Sequence, residues 1–229
     1  MKIAVMQPYF FPYIGYWQLI NSVDIFIIYD DVNFIKRGYI NRNNILINNV
    51  KHLFTLALIK SSQNKKINEI LIGENNKKIL RTIEQSYLKA PFFHDIFPII
   101  EDIFSNKEKD LSKFLGNSLQ IFSKYLDINT KFEYSSMLEN DKSLQAQDRL
   151  IEISKILNAT DYINAIGGEQ LYDKNAFSDA GINLSFIQTE LINYKQFNNK
   201  FIPNLSIIDV MMFNSKEDIK EMLKKYTLV

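Results

Sequence analysis

The sequence predicts an α/β fold, a mainly parallel sheet that carries a β-hairpin and an inserted, mostly helical stretch. Two continuous apolar runs, KIAVM at 2–6 and DIFIIY at 24–29, flank the short helical pattern IGYWQLIN at 14–21. Apolar strands without polar alternation belong to a sheet covered on both faces, so the three elements read as a parallel βαβ unit. A different signal follows in NILINNVKHLFTLAL at 44–58. There, β-branched and aromatic residues alternate on both sides of Asn48-Asn49, a pair able to take the positive φ angles of a tight hairpin turn.

From about 66 to 126 the period becomes helical. Ile79 and Ile83, then Phe97, Ile100, Ile103 and Phe104, then Leu111, Leu115, Leu119 and Phe122, each fall on one helix face. Ala90-Pro91 marks a break between helices. LQAQDRLIEISKILN at 144–158 is a further amphipathic helix, with Leu150, Ile153 and Leu157 on one side. Tyr162 to Ile166 reads as a strand running into Gly167-Gly168, and Asn183 to Ile187 as another. Ser206 to Phe213 and Lys216 to Lys225 read as the last helices. No internal repeat or low-complexity linker interrupts the pattern. Residues 1–229 are therefore expected to form one α/β domain with a mostly helical segment at about 66–143.

With 46% hydrophobic and 23% charged residues, 229 residues suffice for a sizeable core. A formal charge of +1, from 27 basic and 26 acidic residues, gives no overall field that would recruit nucleic acid or an anionic membrane. The absence of cysteine excludes disulfides, thiolate zinc sites, iron–sulfur ligation and a cysteine nucleophile, and fits a reducing cytoplasm. The first apolar run stops at Gln7-Pro8, too short for a secretory signal. No stretch approaches the roughly 18 apolar residues of a membrane span. A cytoplasmic protein without a transmembrane segment is expected.

Three constellations carry candidate chemistry. Gln7 to Tyr16 follows the first strand, and open α/β sheets bind ligands beyond the carboxyl ends of their strands. Gln7, Tyr9 and Tyr13 are candidates to line a pocket there, with Gly15 letting a ligand approach the backbone. The same rings could cap the core, although buried phenol hydroxyls need partners. The second constellation is Asp30-Asp31, followed by Lys36, Arg37, Asn41, Arg42 and Asn43. Such a set can hold a phosphate, a carboxylate or a metal-bound anion, or can close a loop with surface salt bridges. Neighbours on an extended chain point opposite ways, so at most one of the two aspartates should face a site. The third is Gly167-Gly168, which suits close backbone approach. His52 and His94 lack metal-ligand spacing, so no metal site is expected. G-x-S-x-G, P-loop and G-x-G-x-x-G motifs do not occur.

The stretches MQPYFFPYIGYWQLI, DIFIIYDDVNFIKRGYINRN, LFTLAL, SYLKAPFF, DRLIEISKILNATDYINAIGGEQLY, FSDAGINLSF and FIPNLSIIDVMMFN resemble the WbqC-like family along nearly the whole chain. Tyr39 stands where relatives often carry tryptophan, which keeps a large ring. The family is associated with gene clusters for O-antigen, lipopolysaccharide and capsule, so the resemblance implies a part in making or decorating an activated sugar. The first βαβ layout is also similar to nucleotidylyltransferase-like proteins and pantoate–β-alanine ligases, which implies a Rossmann-like sheet. The H-x-G-H of those proteins falls on Tyr13-Ile14-Gly15-Tyr16. A phenol donates a hydrogen bond but carries no positive charge near neutral pH, so either phosphate binding passes to Lys36, Arg37 or Arg42, or nucleotide chemistry has been lost.

These likenesses imply a transferase that moves an acyl or aminoacyl group to an amino sugar on a nucleotide or lipid carrier, with ATP or an acyl-CoA or acyl-carrier donor. Asp31 would be the base toward the attacking amine, with Lys36 and Tyr16 beside it. Gln7, Tyr9, Tyr13, Gly15, Asp30, Arg37, Asn41, Arg42, Asn43, Gly167 and Gly168 would bind substrate or cofactor. Asp209 is a second carboxylate candidate, or an N-terminal charge partner of its helix. Two alternatives stand beside this: a glycosyl- or nucleotidyltransferase with a divalent metal on Asp30-Asp31, and a non-catalytic partner in polysaccharide assembly.

Overall fold

The computed structural model describes residues 1–197 and 200–229. The two apolar runs form β1 (Lys2–Met6) and β2 (Ile25–Ile28), parallel from Ile3 opposite Ile25 to Met6 opposite Ile28, with α1 (Ile14–Asn21) between them. A long excursion follows. It carries the hairpin β3 (Arg42–Ile47) and β4 (Val50–Thr55), the short pair β5 (Leu58–Ile59) and β6 (Leu71–Ile72), and helices α2 (Asn76–Tyr87), α3 (Phe93–Ser105) and α4 (Leu111–Tyr125). The chain returns as β7 (Lys131–Tyr134), and continues through α5 (Ala146–Ile156), β8 (Asp161–Ala165), α6 (Lys174–Asp179) and β9 (Asn183–Thr189). It closes with α7 (Ile207–Phe213), α8 (Lys216–Met222) and β10 (Tyr226–Leu228).

The main sheet runs β10-β9-β8-β1-β2-β7, parallel except where β10 pairs antiparallel with β9. The chain steps outward from β1 through β2 to β7, then crosses back to β8 and out to β9. This is the doubly wound, Rossmann-like plan, and the strand order reverses between β1 and β8, where such sheets open a ligand crevice.

The unbroken apolar strands are explained by burial on both sides. Ala4, Phe26 and Ile28 pack toward α1 and the excursion, against residues such as Trp17 and Phe122. Ile3, Val5 and Ile27 pack on the opposite face with Leu150 and Ile153 of α5 and Phe177 of α6. In the hairpin, Asn48 and Asn49 take φ of 48° and 64°, the left-handed pair that a two-residue turn requires.

Beside the short β5–β6 pair, three elements depart from the sequence reading. KFEY of β7 lies inside the segment expected to be mostly helical, and α6 lies in a stretch to which no element was assigned. The last helix ends at Met222, so that Tyr226–Leu228 can complete the open edge of β9. Each is three to six residues long, and β7 and β10 are fixed by pairing with distant strands rather than by local period. No helix among the described residues is long and apolar enough to cross a membrane.

Candidate functional site

The segment after β1 sorts its rings by chemistry. Phe10 and Phe11 are fully buried, 4.5 Å apart between centroids, and meet Phe54, Phe104 and Phe122 of the excursion. This inward turn places Phe11 at φ 46°, a strained angle for an aromatic residue. Its carbonyl is held by Asn43 Nδ2 at 2.8 Å and Ser206 Oγ at 2.7 Å, while Asn43 also donates to the Phe10 carbonyl at 3.0 Å. The tyrosines turn the other way. Tyr9, Tyr13 and Tyr39, with Pro12, Asn43 and Asn204, line an open cavity of about 300 Å³. Among the described residues no hydrogen bond engages the Tyr9, Tyr13 or Tyr39 hydroxyls. Burial and the neighbouring phenols hold the Tyr9 and Tyr13 hydroxyls above the ordinary phenol range, so both stay protonated and neutral.

Several residues expected at a ligand have other partners. Tyr16 is 3% exposed, packs on Tyr9 and Phe26, and donates its hydroxyl to the Gln7 carbonyl at 2.8 Å. Burial raises its pKa well above the usual value, so it is a core residue whose hydroxyl is engaged. Packing requires a glycine at position 15: a Cβ there would lie 2.5 Å from the Tyr13 ring and 2.7 Å from Thr189 Oγ1. Asn41 donates to the Leu56 carbonyl at the base of the hairpin. Arg42 folds back on the preceding turn, its Nε donating to the Gly38 carbonyl at 3.0 Å and its Nη2 to that of Arg37, which supports the left-handed φ of 62° at Arg37. Lys36 and Arg37 remain exposed beside Tyr39. Gln7 is half-buried. At the end of β8, a Cβ on Gly167 would meet nothing within 4 Å, whereas one on Gly168 would lie 3.1 Å from the Tyr172 ring.

Asp30 and Asp31 are both buried, at 2% and 5% exposure, and both accept from Ser135 Oγ, at 3.2 and 2.5 Å. The expectation that they point apart fails because β2 ends at Ile28 and the chain bends at Asp31. Asp30 also accepts from the Ser136 backbone N–H at 3.0 Å and hydroxyl at 2.8 Å, and more distantly from Asn68 and Ser112. Asp31 accepts from Arg149 Nη2 at 2.6 Å. Burial alone would raise the Asp31 pKa, but the Ser135 hydroxyl and the Arg149 guanidinium outweigh it and hold the carboxyl below its usual range. Arg149, 4% exposed, donates Nε to Asn140 Oδ1 and lies 5.0 Å from the Tyr29 ring centroid. Its burial favours the neutral form, yet Asp31 and Tyr29 keep it firmly charged.

The sequence reading assigned Arg149 no role. The signal was present: Arg149 and Ile153 are four residues apart, so the arginine shares the buried stripe of α5. Among the described residues no cluster of three His, Asp or Glu side chains is arranged to hold a metal ion.

The chain is similar to the uncharacterised protein Rv1507c of Mycobacterium tuberculosis, with 28% identity over 97% of each chain. No solved structure matches it. The model of the WbqC-like protein family matches residues 7–221, from the ring segment after β1 into the last helix, so the chain belongs to the WbqC-like protein family.

Proposed function

We propose that the protein is a transferase of surface-polysaccharide biosynthesis that moves an acyl or aminoacyl group to an amino sugar held in the cavity of Tyr9, Tyr13 and Tyr39. The observation that carries this reading is the cavity's chemistry: three phenols and the Asn204 amide, over an Asn43 amide engaged with the backbone, and no charged side chain in the lining. Ring faces suit the C–H faces of a pyranose, while phenol and amide groups suit its hydroxyls, the mixture of apolar wall and few polar groups that small-molecule sites use. Lys36 and Arg37, exposed in the turn that leads to Tyr39, supply positive charge for the phosphate that links the sugar to its nucleotide or lipid. In the reaction the sugar amine attacks the acyl carbonyl, an amide bond forms as the bond to the donor's leaving group breaks, and the amine proton passes to that departing group. Asp31 enters this reading as the anchor of Arg149 rather than as the base, because its oxygens are engaged and its proton affinity is low.

The glycosyl- or nucleotidyltransferase reading needs Asp30 and Asp31 free to hold a metal, and seryl, amide and guanidinium donors already occupy them. Turnover that survives a chelator is expected.

The test is a thermal-shift series with nucleotide-linked amino sugars, free amino sugars, ATP and acyl-CoA. A sugar ligand at 100 times its Kd adds about 2.7 kcal/mol of stability. Tyr39→Ala should weaken that ligand at least about tenfold, a loss of about 1.4 kcal/mol, with an unchanged melting temperature in its absence. Equal affinity in the variant, or no sugar that binds, would overturn the reading.

A further inference from the structure

The turn from Ile35 to Tyr39 is built like a surface anchor. Ile35 and Tyr39 are each 50% exposed, and Lys36 and Arg37 between them are exposed cations. The Gly38 N–H donates to the Ile35 carbonyl, and Arg42 fastens the carbonyls of Arg37 and Gly38, so the apolar and charged side chains are displayed on a fixed frame. Beside the turn lie Lys65, whose carbonyl accepts from the Phe34 N–H at 2.9 Å, and Lys66, bridged to Asn33. None of these four cations makes an ion pair among the described residues. The adjoining Asp30 and Asp31 are buried, and the acidic side chain close to this group is the exposed Glu69.

We infer that this turn docks the protein on an anionic membrane surface, which presents the sugar to the adjoining cavity on a lipid carrier. Overall charge near zero supplies no long-range attraction, so the docking is local. Basic side chains interleaved with an aliphatic and an aromatic residue match the headgroup boundary of a bilayer, where cations meet lipid phosphates and apolar tips enter the acyl region. An aliphatic tip has no comparable role on nucleic acid, whose backbone is met by charge and whose bases are met by flat rings. Tyr39 belongs to both features, lining the cavity and the anchor, which places a docked lipid phosphate at the cavity mouth. The docking itself is independent of the proposed reaction; only the identity of the headgroup that enters the cavity rests on that reading.

The experiment is co-sedimentation of the full chain with vesicles of phosphatidylcholine alone and of phosphatidylcholine mixed with phosphatidylglycerol. Binding is expected to the anionic vesicles only, and to fall as salt is raised. Removing Lys65 and Lys66 by K65A and K66A should cost about fivefold per charge. Ile35→Asp should abolish binding, while Ile35→Leu restores it. All of these variants should keep the thermal shift given by soluble sugar ligands. Absence of vesicle binding, equal binding by Ile35→Asp, or RNA binding that depends on the same residues would overturn the docking. Vesicle binding without any sugar-dependent thermal shift would instead remove the transferase reading and leave the surface.

Discussion

Asp31 and Asp209 are both buried carboxylates, but they are held in opposite ways. Asp31 sits under the carboxyl edge of the sheet with a guanidinium at 2.6 Å, and its pKa is lowered. Asp209, in the first turn of α7, is fully buried and accepts from the Tyr87 hydroxyl at 2.8 Å, the Tyr194 hydroxyl at 2.6 Å and Gln196 Nε2 at 2.7 Å. All three donors are neutral. Burial raises the Asp209 pKa despite them, and the same burial, with the carboxylate nearby, raises the pKa values of Tyr87 and Tyr194. Burial therefore does not settle a carboxylate's protonation by itself; a cation among the partners decides the sign. Asp31 is a fixed charge that joins β2 to β7 and α5. Asp209 joins α2, α7 and the chain between β9 and α7 through hydrogen bonds that tolerate a proton.

The largest expected effect tests the first half of that contrast. Arg149→Ala leaves Asp31 buried without its hydrogen-bonded cation, with only the half-exposed Lys142 at 4.0 Å, and should destabilise the fold by about 3–5 kcal/mol, read as a shift of the urea midpoint. A loss below about 1 kcal/mol, the range of exposed pairs, would mean that Ser135 and the Lys142 ammonium at 4.0 Å suffice to hold Asp31. A smaller effect is expected at Asp209. Tyr194→Phe removes one donor of three and should cost about 1–3 kcal/mol; a neutral outcome would show that the Tyr87 and Gln196 bonds suffice.

The same contrast explains what was legible in the sequence. β1, β2, β8, β9 and the hairpin were readable because continuous or alternating apolar runs report burial directly. β7 and β10 were not, because their partners rather than their residues define them. At the site, the location of the ring segment was legible, since it follows the central strand. The outward turn of Tyr9 and Tyr13 follows from phenols that need water or a ligand. Tyr16 broke the pattern because the Gln7 carbonyl, nine residues earlier, offered its hydroxyl a buried partner. Asp30-Asp31 looked reactive because a sequence displays charges and hides their partners. Ser135 lies 105 residues beyond Asp30, and Arg149 lies 118 beyond Asp31. Asp209 drew less notice, although it is the carboxylate whose proton affinity is raised.

The smallest expected effect is the pH dependence, and its sign separates the two carboxylates. A lowered folded pKa, as at Asp31, gives stability that is present above the unfolded value of about 4 and is lost as pH falls below it. A raised folded pKa, as at Asp209, gives the reverse: its contribution is complete below about pH 4 and is lost as pH rises through the folded value. The slope of that loss is at most about 1.4 kcal/mol per pH unit for one group. Asp209→Asn removes the titration while retaining one carbonyl acceptor for the surrounding donors. Urea midpoints of wild type and Asp209→Asn, compared between about pH 4 and about pH 7, should therefore diverge in favour of the variant as pH rises. Below about pH 4 the difference should become constant, because Asp209 is then protonated in both folded and unfolded chains. A difference that stays flat across the whole range would mean that the three neutral donors just offset burial, and a divergence in favour of wild type that they hold the carboxylate as a cation does.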